Sequence, residues 1–331
     1  MSADPENAAL MRIVDRFSET TVLVIGDLML DRFIYGTVSR ISPEAPVPLV
    51  EETHETYRLG GAANAVANIH NLGGKVLVSG IVGNDWFGRQ LTGLLKQDGI
   101  DTAGVLECNE RSTTVKSRVI AGKQHLLRLD REIRTPINAD FENKILAAVH
   151  AIIGSVDVIL VSDYNKGVVT RSLLEGLIAC AKKSDTPVIV YPKIGPSCDY
   201  QGVSVFIIPL ENAVEMTGIK QINETSIRNM GQWLLTRLEC DGILLTRGKE
   251  GMSLFDKNGD VTHLSSPKTP SSGETMTMDT IASVIALALP SGQNHVNADI
   301  VRLAAIGSSI ASASREPGVI SRKDLMDHIR E

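Results

Sequence analysis

Short runs that are apolar at every position alternate with longer runs whose apolar residues recur every three to four positions, and this alternation organises most of the chain. The run 21–26 (Thr-Val-Leu-Val-Ile-Gly) has no polar face, as a strand covered by helices on both sides requires. The same reading places strands at 75–82, 156–162, 187–191, 203–208 and 242–246. Helices are predicted at 62–72, 86–97, 172–182, 227–238, 280–289 and 298–312. Strand followed by helix, repeated, predicts an α/β fold with a doubly wound, mostly parallel sheet.

Two stretches break the rhythm. Residues 32–57 are polar, carry Pro43, Pro46 and Pro48, and alternate only in short segments. Residues 113–130 alternate as a hairpin does, with Gly122-Lys123 at the turn. Together they predict a small β-sheet, a lid over the carboxyl ends of the main strands, inserted into one domain spanning 1–331.

Composition narrows the function classes. The chain has 331 residues, 43% apolar and 22% charged, ordinary for a globular enzyme. A net charge of −6 argues against nucleic acid as a partner, and an anionic substrate would need a local basic cluster. No apolar run approaches the roughly 18 residues needed to span a bilayer, and the first residues show no signal-peptide pattern. Cys108, Cys180, Cys198 and Cys240 have no metal-type spacing and read as reduced, mostly buried thiols. A cytoplasmic location is expected.

Ligands of open α/β sheets bind at the carboxyl ends of strands, and polar residues gather at those positions. Asp27 and Asp31 follow the first strand; they suit either sugar hydroxyls or a turn and a solvated charge. Gly60-Gly61 and Asn64 open a helix, either as a turn or as a close approach to a ligand. Lys116 and Arg118 share one face of their strand, with Arg128 on the next, either as a phosphate site or as charges guarding a sheet edge. Asp163 and Lys166 end another strand. Asp279 precedes an apolar helix, either as a general base or as an N-cap.

In order, the chain carries Gly26-Asp-Leu-Met-Leu-Asp31, Ser39-Arg-Ile-Ser-Pro-Glu-Ala-Pro-Val-Pro48 and Gly60-Gly-Ala-Ala-Asn64. Next come Gln124-His-Leu-Leu-Arg-Leu-Asp130, Ser162-Asp-Tyr-Asn-Lys-Gly167, Leu245-Thr-Arg-Gly-Lys-Glu-Gly251 and Asp279-Thr280. This set resembles the ribokinase-like (PfkB) carbohydrate kinases over roughly residues 20–320, and within them the branch acting on D-glycero-β-D-manno-heptose 7-phosphate. The resemblance implies a ribokinase-like fold with a β-sheet lid that also makes a homodimer. It implies ATP and Mg²⁺, phosphorylation of the anomeric hydroxyl of the heptose phosphate, and a place in ADP-heptose and lipopolysaccharide core biosynthesis. The nucleotidyltransferase domain fused in some relatives has no counterpart before Glu331. Carried over, Asp279 is the base. Asp27, Asp31, Gly60, Gly61, Asn64 and Asp163 face the sugar, and Lys116, Arg128 and Lys166 face its existing phosphate. Lys193, Asn212, Thr246, Gly248, Gly251, Met276 and Met278 fall at the nucleotide, and Glu215 at the metal.

The chain departs from the family pattern in its nucleotide half. Tyr191-Pro-Lys-Ile194 stands for Asp-Pro-Lys-Gly, Ile208-Pro-Leu210 for Thr-Pro-Asn, and Ile306 for an Asn. Met276 and Met278 replace the glycines of Gly-Ala-Gly-Asp, whose bare backbone lets amides reach the phosphoryl group. Two methionines there are expected to crowd it. The alternative to a working kinase is therefore a pseudokinase that binds a sugar phosphate without turnover.

Overall fold

The first strand shows why its residues carry no polar face. In β1 (Thr21–Gly26) Val22 and Val24 pack into one apolar cluster, while Leu23 and Ile25 pack into another on the opposite side of the sheet. The protein is described from a computed structural model covering residues 5–193, 199–265, 274–290, 295–313 and 319–330, with the backbone alone for 274–277.

The remaining strands are β2 (Leu28–Ile41), β3 (Pro48–Gly61), β4 (Lys75–Gly83), β5 (Val105–Cys108), β6 (Thr114–Ala121), β7 (Gln124–Arg131) and β8 (Val158–Asp163). They continue as β9 (Val188–Pro192), β10 (Val205–Pro209), β11 (Gly242–Thr246), β12 (Met252–Asp256) and β13 (Val261–Leu264). The helices are α1 (Pro5–Asp15), α2 (Ala62–Asn71), α3 (Trp86–Gln97), α4 (Ala139–Ile152) and α5 (Arg171–Lys183). After them come α6 (Leu210–Thr217), α7 (Glu224–Leu238), α8 (Glu274–Ala288), α9 (Ala298–Ala313) and α10 (Arg322–Arg330).

The large sheet has the order β13-β12-β11-β10-β9-β8-β1-β4-β5. Its strands all run in one direction except β12, which is reversed and pairs antiparallel with both β11 and the edge strand β13. From β1 the chain builds outward through β4 and β5, then returns to β1's other side and builds through β8 to β11. The order reverses between β1 and β8, where open α/β sheets place their ligands. Helices α2, α8 and α9 cover one face, and α5 and α7 the other.

The small sheet has the order β3-β2-β6-β7, with β2 and β6 parallel and the outer pairs antiparallel. It forms from the two stretches the sequence singled out, with strands longer than expected: β2 starts at Leu28, with only Asp27 between it and β1, and β3 ends at Gly61, against α2. Gly122 turns the β6–β7 hairpin at φ +60°.

Most predicted elements appear within a few residues of their expected bounds. The sequence reading missed α1, α4, α6, α10, β5, β12 and β13. It also started α8 too late. That helix begins at Glu274, so Asp279 lies in its second turn and is not an N-cap. The backbone amides left free by the helical pattern therefore belong to the turn beginning at Glu274. Cys108, Cys180 and Cys240 are buried free thiols, while Cys198 lies outside the described residues.

Candidate active site

Asp27 organises the switch point. Its Oδ2 accepts hydrogen bonds from the backbone N–H groups of Tyr164 (2.8 Å) and Lys166 (3.0 Å), and its Oδ1 accepts from Val168 N (3.1 Å). The loop after β8 is thus wrapped around a carboxylate from the end of β1. A carboxylate offers about four acceptor positions, so most of Asp27 is used in shaping the loop. Burial holds its pKa above the ordinary value despite the three amides. Arg111, which the sequence reading did not single out, secures the loop from the other side by donating to Lys166 O (2.6 Å) and Ile133 O (3.2 Å).

Two glycines allow the small sheet to approach. Gly61 holds φ +55°, and a Cβ there would stand 2.5 Å from the Asp27 carbonyl oxygen. A Cβ on Gly60 would stand 2.5 Å from Asp31 Oδ2. The Asp31 carboxylate is paired with Arg118, whose guanidinium lies 5.2 Å from the centre of the Phe33 ring.

Asp279, 2% exposed, is the centre of a buried polar cluster. Asn64 Nδ2 donates to its Oδ2 at 2.7 Å. The Tyr164 hydroxyl donates to both oxygens, at 3.0 and 3.1 Å, and the Tyr191 hydroxyl donates to Oδ1. Burial pushes the Asp279 pKa up to about 7, with the Asp31 charge adding to the effect and the Asn64 and Tyr164 hydrogen bonds opposing it. A carboxyl group poised there suits proton abstraction near neutral pH. Burial and the Asp279 charge raise the Tyr164 pKa well above its usual value, so this hydroxyl stays a donor. Neither tyrosine was among the predicted site residues. Tyr164 could have been found, because it lies inside the Ser162–Gly167 motif; Tyr191 had no signal beyond breaking the family pattern.

Basic side chains from both sheets converge on one another. Lys166, with its side chain 5% exposed, pairs with Glu132 at 3.0 Å. Lys116 lies 3.5 Å from Asp130, and Arg128 pairs with the same carboxylate at 2.8 Å. Burial lowers the Lys116 pKa, and the nearby charges of Arg128 and Lys166 lower it further. The three cations thus share one neighbourhood, each with a carboxylate partner.

The two tyrosines that bond Asp279 also border a cavity of about 870 Å³. Tyr164, Tyr191, Lys193, Asn212, Thr246, Gly248, Gly251 and Met278 line it, as do Asp163 and Glu211. Asp163 is buried, accepts from the Tyr200 hydroxyl (2.7 Å) and has its pKa raised to about 6 by burial and then by the Asp27 charge. Met278 stands in the wall with its sulfur 3.7 Å from Thr246 Oγ1. Met276 lies in the first turn of α8, its side chain outside the described residues. Two expectations are displaced. Glu215 is exposed on α6 and is not in the lining, where Glu211, one helical turn earlier, takes its place. Ile306 packs against the core, while Ala305, Ser308 and Ser309 face the cavity.

Among the described residues no three His, Cys, Asp or Glu groups cluster as a metal cage. Mg²⁺ does not need one: it keeps waters and is held by one or two carboxylates together with substrate phosphates. Glu211 at the cavity supplies such a carboxylate, so the donor set fits a metal carried by a nucleotide.

Comparisons with known proteins bear on the family and the fold. The model of the pfkB family carbohydrate kinases matches residues 19–319. The chain is 38% identical over 308 residues to the bifunctional protein HldE of Geobacter metallireducens, covering 93% of this chain and 62% of that one. It is 36% identical over 334 residues to the bifunctional protein HldE of Caulobacter vibrioides, covering 96% and 68%. The chain thus spans about two thirds of the length of these curated relatives. Among solved structures, Arabidopsis thaliana ribokinase complexed with ribose and ATP superposes with a TM-score of 0.72 at 15% identity, covering 94% of this chain and 99% of that one. Escherichia coli phosphofructokinase-2 in complex with potassium gives 0.75 at 16%, covering 94% and 99%. At such identities the likeness is one of fold: ribokinase-like α/β, with a large, mostly parallel sheet and a smaller one.

Proposed function

The chain belongs to the pfkB family of carbohydrate kinases, and on that premise we propose that it transfers the γ-phosphoryl group of ATP to the anomeric hydroxyl of D-glycero-D-manno-heptose 7-phosphate, a step toward ADP-heptose and the lipopolysaccharide core. The observation that carries this reading is the buried Asp279 carboxylate, bonded by two tyrosines that line a cavity large enough for a nucleotide, in a protein that also gathers three cations in one neighbourhood.

In this reading the sugar lies under the small sheet, which acts as a lid. Lys116, Arg128 and Lys166 hold its 7-phosphate, exchanging part of their carboxylate pairing for phosphate oxygens. Asp31 and Asn64 take hydroxyl groups, as does the remaining acceptor position of Asp27. The anomeric hydroxyl donates to Asp279. As its oxygen attacks the γ-phosphorus, its proton passes to Asp279, the bond from the γ-phosphorus to the bridging oxygen breaks, and ADP leaves. The ATP occupies the cavity, its phosphates toward Met278 and the first turn of α8. Glu211 would hold Mg²⁺, which when bound neutralises charge on the phosphate oxygens.

Exclusion of water by the lid favours transfer to the sugar over hydrolysis. The non-catalytic alternative finds no support in the comparisons, and the cavity is open beside Met278. We further propose a cytoplasmic homodimer. Its interface would be the small sheet and its β2–β3 connection, where Val38, Ile41, Val47, Leu127 and Leu129 are exposed. Among the described residues no helix is long and apolar enough to cross a membrane.

The test is to offer ATP with heptose 7-phosphate, sedoheptulose 7-phosphate or ribose and follow the products by phosphorus NMR. The proposal expects a new anomeric phosphate signal with the aldoheptose phosphate. Turnover of ribose alone would reassign the substrate.

A further inference from the structure

Tyr191 reaches the base from the nucleotide half of the site. Asn64 comes from α2 and Tyr164 from the loop after β8, while Tyr191 lies on β9 and, like Tyr164, lines the nucleotide cavity. Its hydroxyl is itself held. Ser162 and Tyr191 are register partners on the parallel strands β8 and β9, and Ser162 Oγ lies 2.7 Å from the Tyr191 hydroxyl. Because the Tyr191 proton points to Asp279 Oδ1, the Ser162 hydroxyl must supply the proton between the two. A buried chain of donors thus runs Ser162 to Tyr191 to Asp279, and all three residues are 5% exposed or less.

We propose that Tyr191 is a positioning residue for Asp279: its hydroxyl, oriented by Ser162, fixes the carboxylate and favours the ionised form that takes the proton. The inference rests on the kinase reading above. Tyr164 spreads one proton over both carboxylate oxygens at the longest distances in the cluster, so an entering sugar hydroxyl displaces Tyr164. Asn64 and Tyr191 then remain, one on each oxygen, and aim Asp279 at the substrate. The titratable groups facing Asp279 are Tyr164, Tyr191 and, from β2, Asp31, whose charge is paired with Arg118. A donor to a carboxylate stabilises its charged form, so losing the hydroxyl makes Asp279 harder to ionise.

The experiment compares the pH dependence of kcat for ADP release from ATP and heptose 7-phosphate in the wild type, Tyr191→Phe and Ser162→Ala. Tyr191→Phe keeps the buried ring. The proposal expects the acid limb to move up by about one pH unit in Tyr191→Phe, and by less, in the same direction, in Ser162→Ala. Acid limbs coinciding with the wild type in both variants would overturn it, as would a shift to lower pH. If Tyr191→Phe fails to fold, Ser162→Ala decides by the same criterion. Absence of sugar-dependent ADP release from the wild type at every pH sinks the kinase reading, and carboxyl-carbon NMR then decides this inference separately. The Asp279 resonance, identified by its loss in Asp279→Asn, must titrate about one unit higher in Tyr191→Phe; an unchanged midpoint overturns the inference.

Discussion

The Asn64 amide and the Asp279 carboxylate, 215 positions apart in sequence, meet at 2.7 Å inside the protein. Asn64 sits in the first turn of α2, which starts where β3 returns from the small sheet, and Asp279 sits in α8, packed against α2. In the proposed reaction this contact joins the sugar-facing part of the site to its base.

That base is buried at an energetic cost, and the cost depends on pH. The Asp279 pKa is raised from 3.8 to about 7 in the folded protein. The unfolded chain therefore loses the proton more readily, and stability contributed by the neutral carboxyl is complete below about pH 4 and lost as pH rises through 7. Asp279→Asn should accordingly raise Tm relative to wild type at pH 8, with the gain vanishing toward pH 4. Scanning calorimetry across this range checks it; a gain that is larger at pH 4 would contradict the burial argument.

Gly60→Ala should act on the sugar without touching the nucleotide. The added Cβ falls 2.5 Å from Asp31 Oδ2, so the carboxylate must move from its place against Arg118. The expected result is a KM for the sugar phosphate raised roughly tenfold, equivalent to about 1.4 kcal/mol of binding, with the KM for ATP little changed. Steady-state kinetics with each substrate varied in turn measures both.

The small sheet and the β1 switch point were legible in the sequence because their signals are local. Asp27, Gly60, Gly61 and Asn64 lie at strand ends or helix starts, and Gly122-Lys123 marks a hairpin turn. The start of α8 was not, because the Thr-Met-Thr-Met segment before Asp279 has no periodic apolar stripe and Asp279 itself offers a competing capping residue beside the apolar run. Tyr191 was read as a lost aspartate, since a sequence does not show that β8 register sets its hydroxyl against Ser162. The exchange of Glu215 for Glu211 has the same origin: one turn of α6 decides which carboxylate faces the cavity, and the bounds of a short helix are hard to place.

Met278 tests how far the nucleotide half has diverged. Its side chain fills part of the cavity wall and engages Thr246. Met278→Gly should lower the KM for ATP severalfold by opening the wall and freeing the Thr246 hydroxyl, while costing about 1 kcal/mol of helix stability. An increased KM for ATP would mean that the methionine contacts the nucleotide productively.

Lys166 and Glu132 separate binding from stability. Lys166→Met leaves Glu132 with Arg134, at 2.7 Å, as its remaining ionic partner and should destabilise the protein by about 1 kcal/mol. Adding Glu132→Gln should recover most of that loss, while the affinity for the sugar phosphate stays at least tenfold weaker in both variants. Urea unfolding and sugar-phosphate titration calorimetry on the single and double variants distinguish the two effects.

The central claim is that Asp279 takes the proton from a sugar hydroxyl as ATP is cleaved, and it is tested most directly by sugar-dependent ADP release from the wild type beside Asp279→Asn. Heptose 7-phosphate should drive release by the wild type, with a rate falling below pH 7, and the single change should lower kcat by roughly 10²–10⁴, the range supplied by a positioned base. Equal rates in the two proteins, or no sugar-dependent release from the wild type, would contradict the account.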